Sequence, residues 1–350
     1  MKKFPGLNLN HLFNLTDETG MLQHARYQFP NRNHGYCIDD NARVLLVLNL
    51  FKKRYGENSK INQLLNTYLS YIDHAYNPSA KRFCNFMSYS RQWLEESGSE
   101  DSQGRTVWAI GTLACNKNFQ EIQSYLEDLL KYCFEITEEL THPRAIAYSL
   151  LGLAEYYEQD LKNGMRTKKK IKDLSSKLRQ FFSQETNSEW LWHEETVTYD
   201  NSRIPQALIS SGCILTDHQL LNKGMELLDW LIMHQFEEGI FSPIGNKEWL
   251  TPGYKSDYDQ QPIEAWGMID ACLCAGKITG DQKYYDYAGR AFNWFLGENS
   301  VGFPLYDSST GGCCDGLNDK GTNKNQGAES TIAWLHSLLM MEISERENNI

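Results

Sequence analysis

Gly35-Tyr36-Cys37-Ile38-Asp39-Asp40-Asn41-Ala42-Arg43 runs directly into Val44-Leu45-Leu46-Val47-Leu48-Asn49-Leu50. Two adjacent carboxylates, an amide and a guanidinium therefore stand at the start of a segment that then carries no charge for two turns. A helix apolar on every side needs neighbours on every side. Its N-terminus, the positive end of the helix dipole, favours anionic groups. The stretch predicts a buried helix with a polar mouth.

The pattern recurs outward from there. Past Gly56, the residues Ile61, Leu64, Leu65, Tyr68, Leu69 and Ile72 fall at the i, i+3, i+4, i+7 spacing of a one-faced helix. Glu100-Asp101-Ser102-Gln103-Gly104-Arg105 then opens an apolar run to Cys115, followed by the amphipathic stripe Ile122, Leu126, Leu129, Leu130 and Cys133. Thr141-His142-Pro143-Arg144 carries a capping Thr and an early Pro, both helix-start signals. It leads into uncharged residues 145–154, backed by Ile171, Leu174, Leu178, Phe181 and Phe182. Asp200-Asn201-Ser202-Arg203-Ile204-Pro205-Gln206 and Asp259-Gln260-Gln261-Pro262-Ile263-Glu264-Ala265 open the fourth and fifth pairs, and Asn325-Gln326-Gly327-Ala328-Glu329-Ser330 opens a sixth apolar helix. The six starts, near 40, 101, 144, 200, 259 and 326, have the loose period of a repeated helical hairpin with variable loops. The sixth amphipathic mate is missing downstream, and Leu9, Leu12 and Phe13 at the N-terminus fill the vacancy.

Six all-buried helices alternating with six half-buried ones predict an all-α fold, an (α/α)6 toroid of six helical hairpins. It would be a single domain over residues 1–350, closed by the N-terminal helix, with strands confined to short loop hairpins. An open solenoid is the alternative. The long connections (76–100, 184–199, 236–258 and 297–324) all precede inner helices, and loops of that length in a compact domain usually carry function.

Composition excludes several classes. Lys and Arg number 34 against 45 Asp and Glu, a formal charge of −11, which argues against a nucleic-acid partner. Lys168-Lys169-Lys170 reads as a solvated helix start. The nine cysteines show no paired framework and no CxxC spacing. His193-Glu194-Glu195 lacks the second His of a zinc HExxH, Cys313-Cys314 has no ligand spacing, and no phosphate or dinucleotide Gly motif occurs. No metal and no cofactor are expected. With no signal-like apolar stretch and no long apolar segment, a cytoplasmic location and no membrane span are expected.

On the toroid, the polar boxes converge on one end of the central funnel. Asp40 and Asp200 are read as an acid and base pair, with Asp39, Asp101, Asp259 and Glu264 as further candidates. Arg43, Arg105, His142, Arg144, Arg203, Gln260, Gln261, Gln326 and Glu329 would bind substrate, since sugar hydroxyls both donate and accept. Trp93, Trp192, Trp249 and Tyr258 on the rim loops would stack on pyranose faces. The competing reading is local: Asp and Asn are ordinary helix caps worth about 1 kcal/mol each, arginines pin carboxylates, and loop aromatics pack.

The five boxes at residues 35–43, 100–105, 199–205, 258–265 and 325–331 together resemble bacterial (α/α)6-toroid domains of the six-hairpin glycosidase type, which occur next to or fused to glycosyltransferases. Ser202, where Ala is usual, and Trp192-His193-Glu194-Glu195, where an aromatic-Glu-Asp sequence is expected, depart from that pattern. The resemblance implies the fold, a sugar-related role and a possible glycosyltransferase partner. The leading expectation is an inverting glycoside hydrolase acting on an oligo- or polysaccharide through paired carboxylates. The alternatives are a non-catalytic sugar-binding or scaffolding partner of a glycosyltransferase, and a sugar epimerase or isomerase using His142 as base.

Overall fold

The computed structural model describes residues 4–159, 164–182 and 189–348. Its first helix, α1 (Asn10–Leu15), is followed by α2 (Ile38–Tyr55) and α3 (Ser59–Ala75), α4 (Glu100–Cys115) and α5 (Gln123–Glu139), and α6 (Pro143–Gln159) and α7 (Gly164–Gln180). Then come α8 (Arg203–Leu215) and α9 (His218–Gln235), α10 (Pro262–Thr279) and α11 (Gln282–Phe295), and finally α12 (Ala328–Asn348). Packing runs from α2 through α4, α6, α8 and α10 to α12, and α12 packs back on α2. The inner ring is closed, so the architecture is the (α/α)6 toroid and not an open solenoid.

Burial follows the two sequence patterns. On α4 every residue from Ser102 to Ala114 is buried, whereas α3 buries one stripe containing Ile61, Leu64, Leu65, Tyr68, Leu69 and Ile72. Each such aliphatic side chain, fully withdrawn from water, contributes roughly 1.5–3 kcal/mol. Beside α12, the outer position is taken by α1, whose Leu12 and Leu15 are fully buried. The tightest inner seam lies between α4 and α6. There a Cβ on Gly111 would stand 2.5 Å from the Gly152 carbonyl oxygen, so both positions need glycine for the backbones to meet.

Strands among the described residues are short two-stranded pairs, five of them hairpins. The sixth joins Tyr36–Cys37 to Phe86–Met87 and ties two rim loops together. Gly35 permits that crossing: its φ is +63°, and a Cβ there would meet the Met87 carbonyl. This pairing delivers the chain into α2 beside the loop that carries Asn85.

Two helix starts differ from the expected positions. α8 begins at Arg203 and α10 at Pro262, leaving Asp200 and Asp259 outside their helices. Asp200 has φ +46°, which interrupts the helical path. Gln261 is extended (φ −116°, ψ 142°), as proline imposes on the residue before it.

Candidate active site at the mouth of the inner ring

A cavity of about 830 Å³ opens where the inner helices begin. Nine of the residues singled out from sequence line it: Asp39, Asp40, Arg43, Asp101, Arg105, His142, Trp249, Gln261 and Glu329.

The local structure frees the acids of α2 from capping. Asn85 Oδ1 accepts from the Ile38 and Asp39 N–H groups at 3.1 and 3.4 Å, so the cap comes from a different loop. Asn85 Nδ2 also donates to Asp39 Oδ2 at 2.9 Å, while Arg105 Nη1 donates to Asp39 Oδ1 at 2.8 Å. Burial opposes the Asp39 charge, but Arg105, Arg43 and these hydrogen bonds outweigh it and hold the carboxyl below its ordinary value.

Asp40 is treated differently. Arg43 Nη1 donates to its Oδ1 at 3.0 Å, but the same guanidinium pairs through Nη2 with Glu329 at 2.9 Å. Among the described residues, the second Asp40 oxygen receives only the Cys37 thiol, at 3.1 Å. Burial is the largest influence, Arg43 offsets part of it, and Glu329 and Asp39 add repulsion, pushing the Asp40 carboxyl up to about 6. Successive residues on one helix turn leave in directions about 100° apart. Two neighbouring acids thus face one cavity with opposite proton preferences.

Around them, Tyr199 donates to Asp101 Oδ2 at 2.7 Å, and burial together with Asp101 pushes its phenol up to about 12. Glu100 accepts from the Thr141 and His142 N–H groups at 2.7 and 2.8 Å, holding the start of α6. Asp315 Oδ1 accepts from the Gly327 N–H at 2.7 Å and from Ser330 at 2.8 Å, doing the same for α12. His142, though in the lining, is largely exposed, with Nδ1 3.4 Å from Glu100.

The other expected site residues lie elsewhere. Asp200 is 2% exposed and outside the cavity lining, accepting from Tyr148 at 2.7 Å and from Arg203 at 3.1 Å. Arg203 is sandwiched between the Trp108 and Trp266 rings and also pairs with Asp270 at 2.7 Å, deep in the ring. Glu264 is buried too. It accepts from the Asp200 backbone N–H and from Asn201, and burial, reinforced by Asp200, pushes its carboxyl up to about 8. Arg144 is spent on the Tyr199 carbonyl, Thr198 and Asn201.

Asp259 stands on an exposed loop, and half-buried Tyr258 beside it is not in the lining. Gln260 staples loops through Trp294 and the Asp257 carbonyl, and Gln326 does so through Asp307 and Thr310. Trp192 is a core ring stacked on Trp230, and Trp93 packs on Tyr71 and His74 beside a separate groove. Of the four rim aromatics expected to stack on sugar, only Trp249 reaches the cavity.

Sequence reasoning did not single out Gln23, His24, Asn85, Phe86, Glu95, Tyr199 or Asp315 as site residues, yet all seven line the cavity. All lie on connections ahead of inner helices, so loop length was the one signal pointing to them.

Fold and site together define a toroid with an acidic cleft at the N-terminal end of its inner ring. Solved structures share that fold. A sugar epimerase from a ruminal bacterium superposes with TM-score 0.72 at 10% identity, over 97% of this chain and 95% of that one. A GH76 α-mannanase from Bacteroides thetaiotaomicron gives 0.62 at 12%, over 90% and 88%. An inactive α-1,6-mannanase variant from Salegentibacter sp. HEL1_6, with two adjacent aspartates replaced and α-1,6-mannotriose bound, gives 0.58 at 12%, over 96% of each chain. No protein-family model matches the chain, and no curated protein matches it in sequence. Among the described residues, no helix is long and apolar enough to cross a membrane.

Proposed function

We propose that this protein is an inverting glycoside hydrolase acting on an oligo- or polysaccharide, with Asp40 as proton donor and Asp39 as base. The observation that carries this reading is the asymmetry between the two neighbours. Asp39 holds two strong donors and stays ionised, whereas Asp40 shares its arginine and keeps its proton to about pH 6. Pushing two carboxyl pKa values apart is how one site supplies both an acid and a base. Asp40 would protonate the leaving glycosidic oxygen while Asp39 takes a proton from the attacking water, and Trp249 and Phe86 supply apolar surface for a ring. The adjacent aspartates replaced in the inactive mannanase variant fit the same logic and make α-1,6-mannotriose the first probe.

Asp200 is recast in this account as a support: through Tyr148 it steadies Arg105, which donates to that phenol at 3.0 Å. We place the whole chain in one domain working in the cytoplasm; the bacterial setting and a neighbouring glycosyltransferase are what the family resemblance implies. The test is reducing-sugar release from a panel of oligosaccharides by the wild type, Asp39→Asn and Asp40→Asn. Turnover lost in both variants supports the assignment, and turnover kept in both refutes it.

A second reading, a sugar epimerase, is favoured by one observation: His142 and His24 line the same cavity. Uptake of solvent deuterium into a free sugar, without bond cleavage, would select it.

A further inference from the structure

The cavity has an uneven charge balance. Seven carboxylates line it (Asp39, Asp40, Glu95, Glu100, Asp101, Asp315 and Glu329) against two arginines and no lysine. Both arginines are already engaged. Arg43 spends Nη1 on Asp40 and Nη2 on Glu329. Arg105 spends Nη1 on Asp39 and Nη2 on Tyr148, and its unpartnered Nε is sealed from solvent. The remaining basic groups in the lining are the imidazoles of His24 and His142. No guanidinium is left to receive a carboxylate, sulfate or phosphate on a ligand.

The acids, by contrast, are not all neutralised. Glu95 is held by the Asn85 and Phe86 N–H groups at 2.8 and 3.1 Å, and Asp315 by Gly327 and Ser330. Those hydrogen bonds fix the side chains without cancelling their charge. A cleft lined by an excess of one sign of charge concentrates ions of the other sign and repels its own.

We infer that the cavity takes sugars bearing a protonated amine in preference to neutral ones and turns away anionic ones. The inference rests on the carbohydrate reading of the site and adds the chemical class of sugar: a hexosamine unit with a free amino group. That ammonium would pair with Glu95 or Asp315, since Asp101 already lies 3.8 Å from Arg105 Nη2, while neutral hydroxyls use the Asp39 and Asp40 side of the cleft.

The experiment is a binding titration of the full chain, followed by tryptophan fluorescence and calorimetry. The probes are glucosamine oligomers, their N-acetylated counterparts, galacturonate oligomers and α-1,6-mannotriose, each in low and high salt. Glucosamine oligomers should bind about tenfold or more tighter than the N-acetylated series at low salt, with the gap closing in high salt. Galacturonate oligomers should not bind. Glu95→Gln, which keeps an acceptor oxygen for both N–H groups, should narrow the gap several-fold.

Binding of galacturonate, or equal affinity for glucosamine and N-acetylglucosamine oligomers that salt does not change, overturns the charge rule and leaves the carbohydrate reading standing. Failure of every sugar to bind overturns both.

Discussion

The two rings of helices begin in different ways. Three outer helices cap themselves: Asn58 accepts from Lys60 and Ile61 at the start of α3, Asp217 from Gln219 and Leu220 at α9, and Asp281 from Lys283 at α11, whereas α1 and α5 start without a side-chain cap. Inner helices are held from elsewhere in the chain. Asn85 holds α2, Glu100 holds α6, Asp315 holds α12, and Glu264 of α10 holds the turn leading into α8. α4 and α10 are exceptions, the first with Ser99 as its own cap and the second opening on Pro262 without a side-chain cap. A local cap satisfies a backbone donor and does nothing more. A cap lent from another segment leaves Asp39 and Asp40 free to face the cavity and locks neighbouring hairpins together at that end. On the proposed mechanism, this contrast separates acids that serve the fold from acids that serve a ligand.

The contrast can be broken most forcefully at Asp39. Asp39→Asn should lower turnover of a confirmed sugar by about 10²–10⁴-fold, the usual scale for a general acid or base. Asp217→Ala on the outer ring should leave turnover unchanged. An activity loss at Asp217 matching that at Asp39 would erase the distinction.

Asn85→Ala comes next, because it removes the α2 cap and the Asp39 anchor at once. Thermal unfolding should show a loss of about 1 kcal/mol or more, accompanied by reduced turnover. The matched change Asn58→Ala should cost stability alone.

A subtler effect concerns Glu264. Its carboxyl titrates near 8 in the fold and near its ordinary value when unfolded, so the native state holds a proton that the unfolded chain releases. Stability should therefore fall as pH rises across the window between those values. Denaturant titrations of Glu264→Gln should show a flatter dependence there, and an unchanged slope would place Glu264 outside the account.

Much of the fold was legible because burial has a period. The uncharged runs at 44–51 and 145–154 and the stripe Ile61 to Ile72 state which helices have one neighbour and which have several. The site was legible only in part. Asp39, Asp101 and Arg105 sit in the first turn or two of their helices, so the helix geometry fixes where they project. Asp200 has the same sequence context as Asp40, but its positive φ turns it under Tyr148 into the ring, and no pattern in the sequence announces that turn. Asp315 and Asn85 reach the cavity from loops whose course is set by tertiary pairing, such as Tyr36–Cys37 with Phe86–Met87. The aromatics misled for a similar reason: Trp192 and Trp249 both precede inner helices, but one is stacked into the core.

On the proposed mechanism, Asp40 is kept for chemistry at a cost to the fold. Its carboxyl is raised to about 6, so at neutral pH the folded state carries an anion that the unfolded chain holds more comfortably. The most direct measurement is the melting temperature of Asp40→Asn at neutral pH, taken beside its turnover of a confirmed sugar. The expected result is a melting temperature equal to or above that of the wild type, with turnover lost. A variant that melts lower yet still turns over substrate would contradict it.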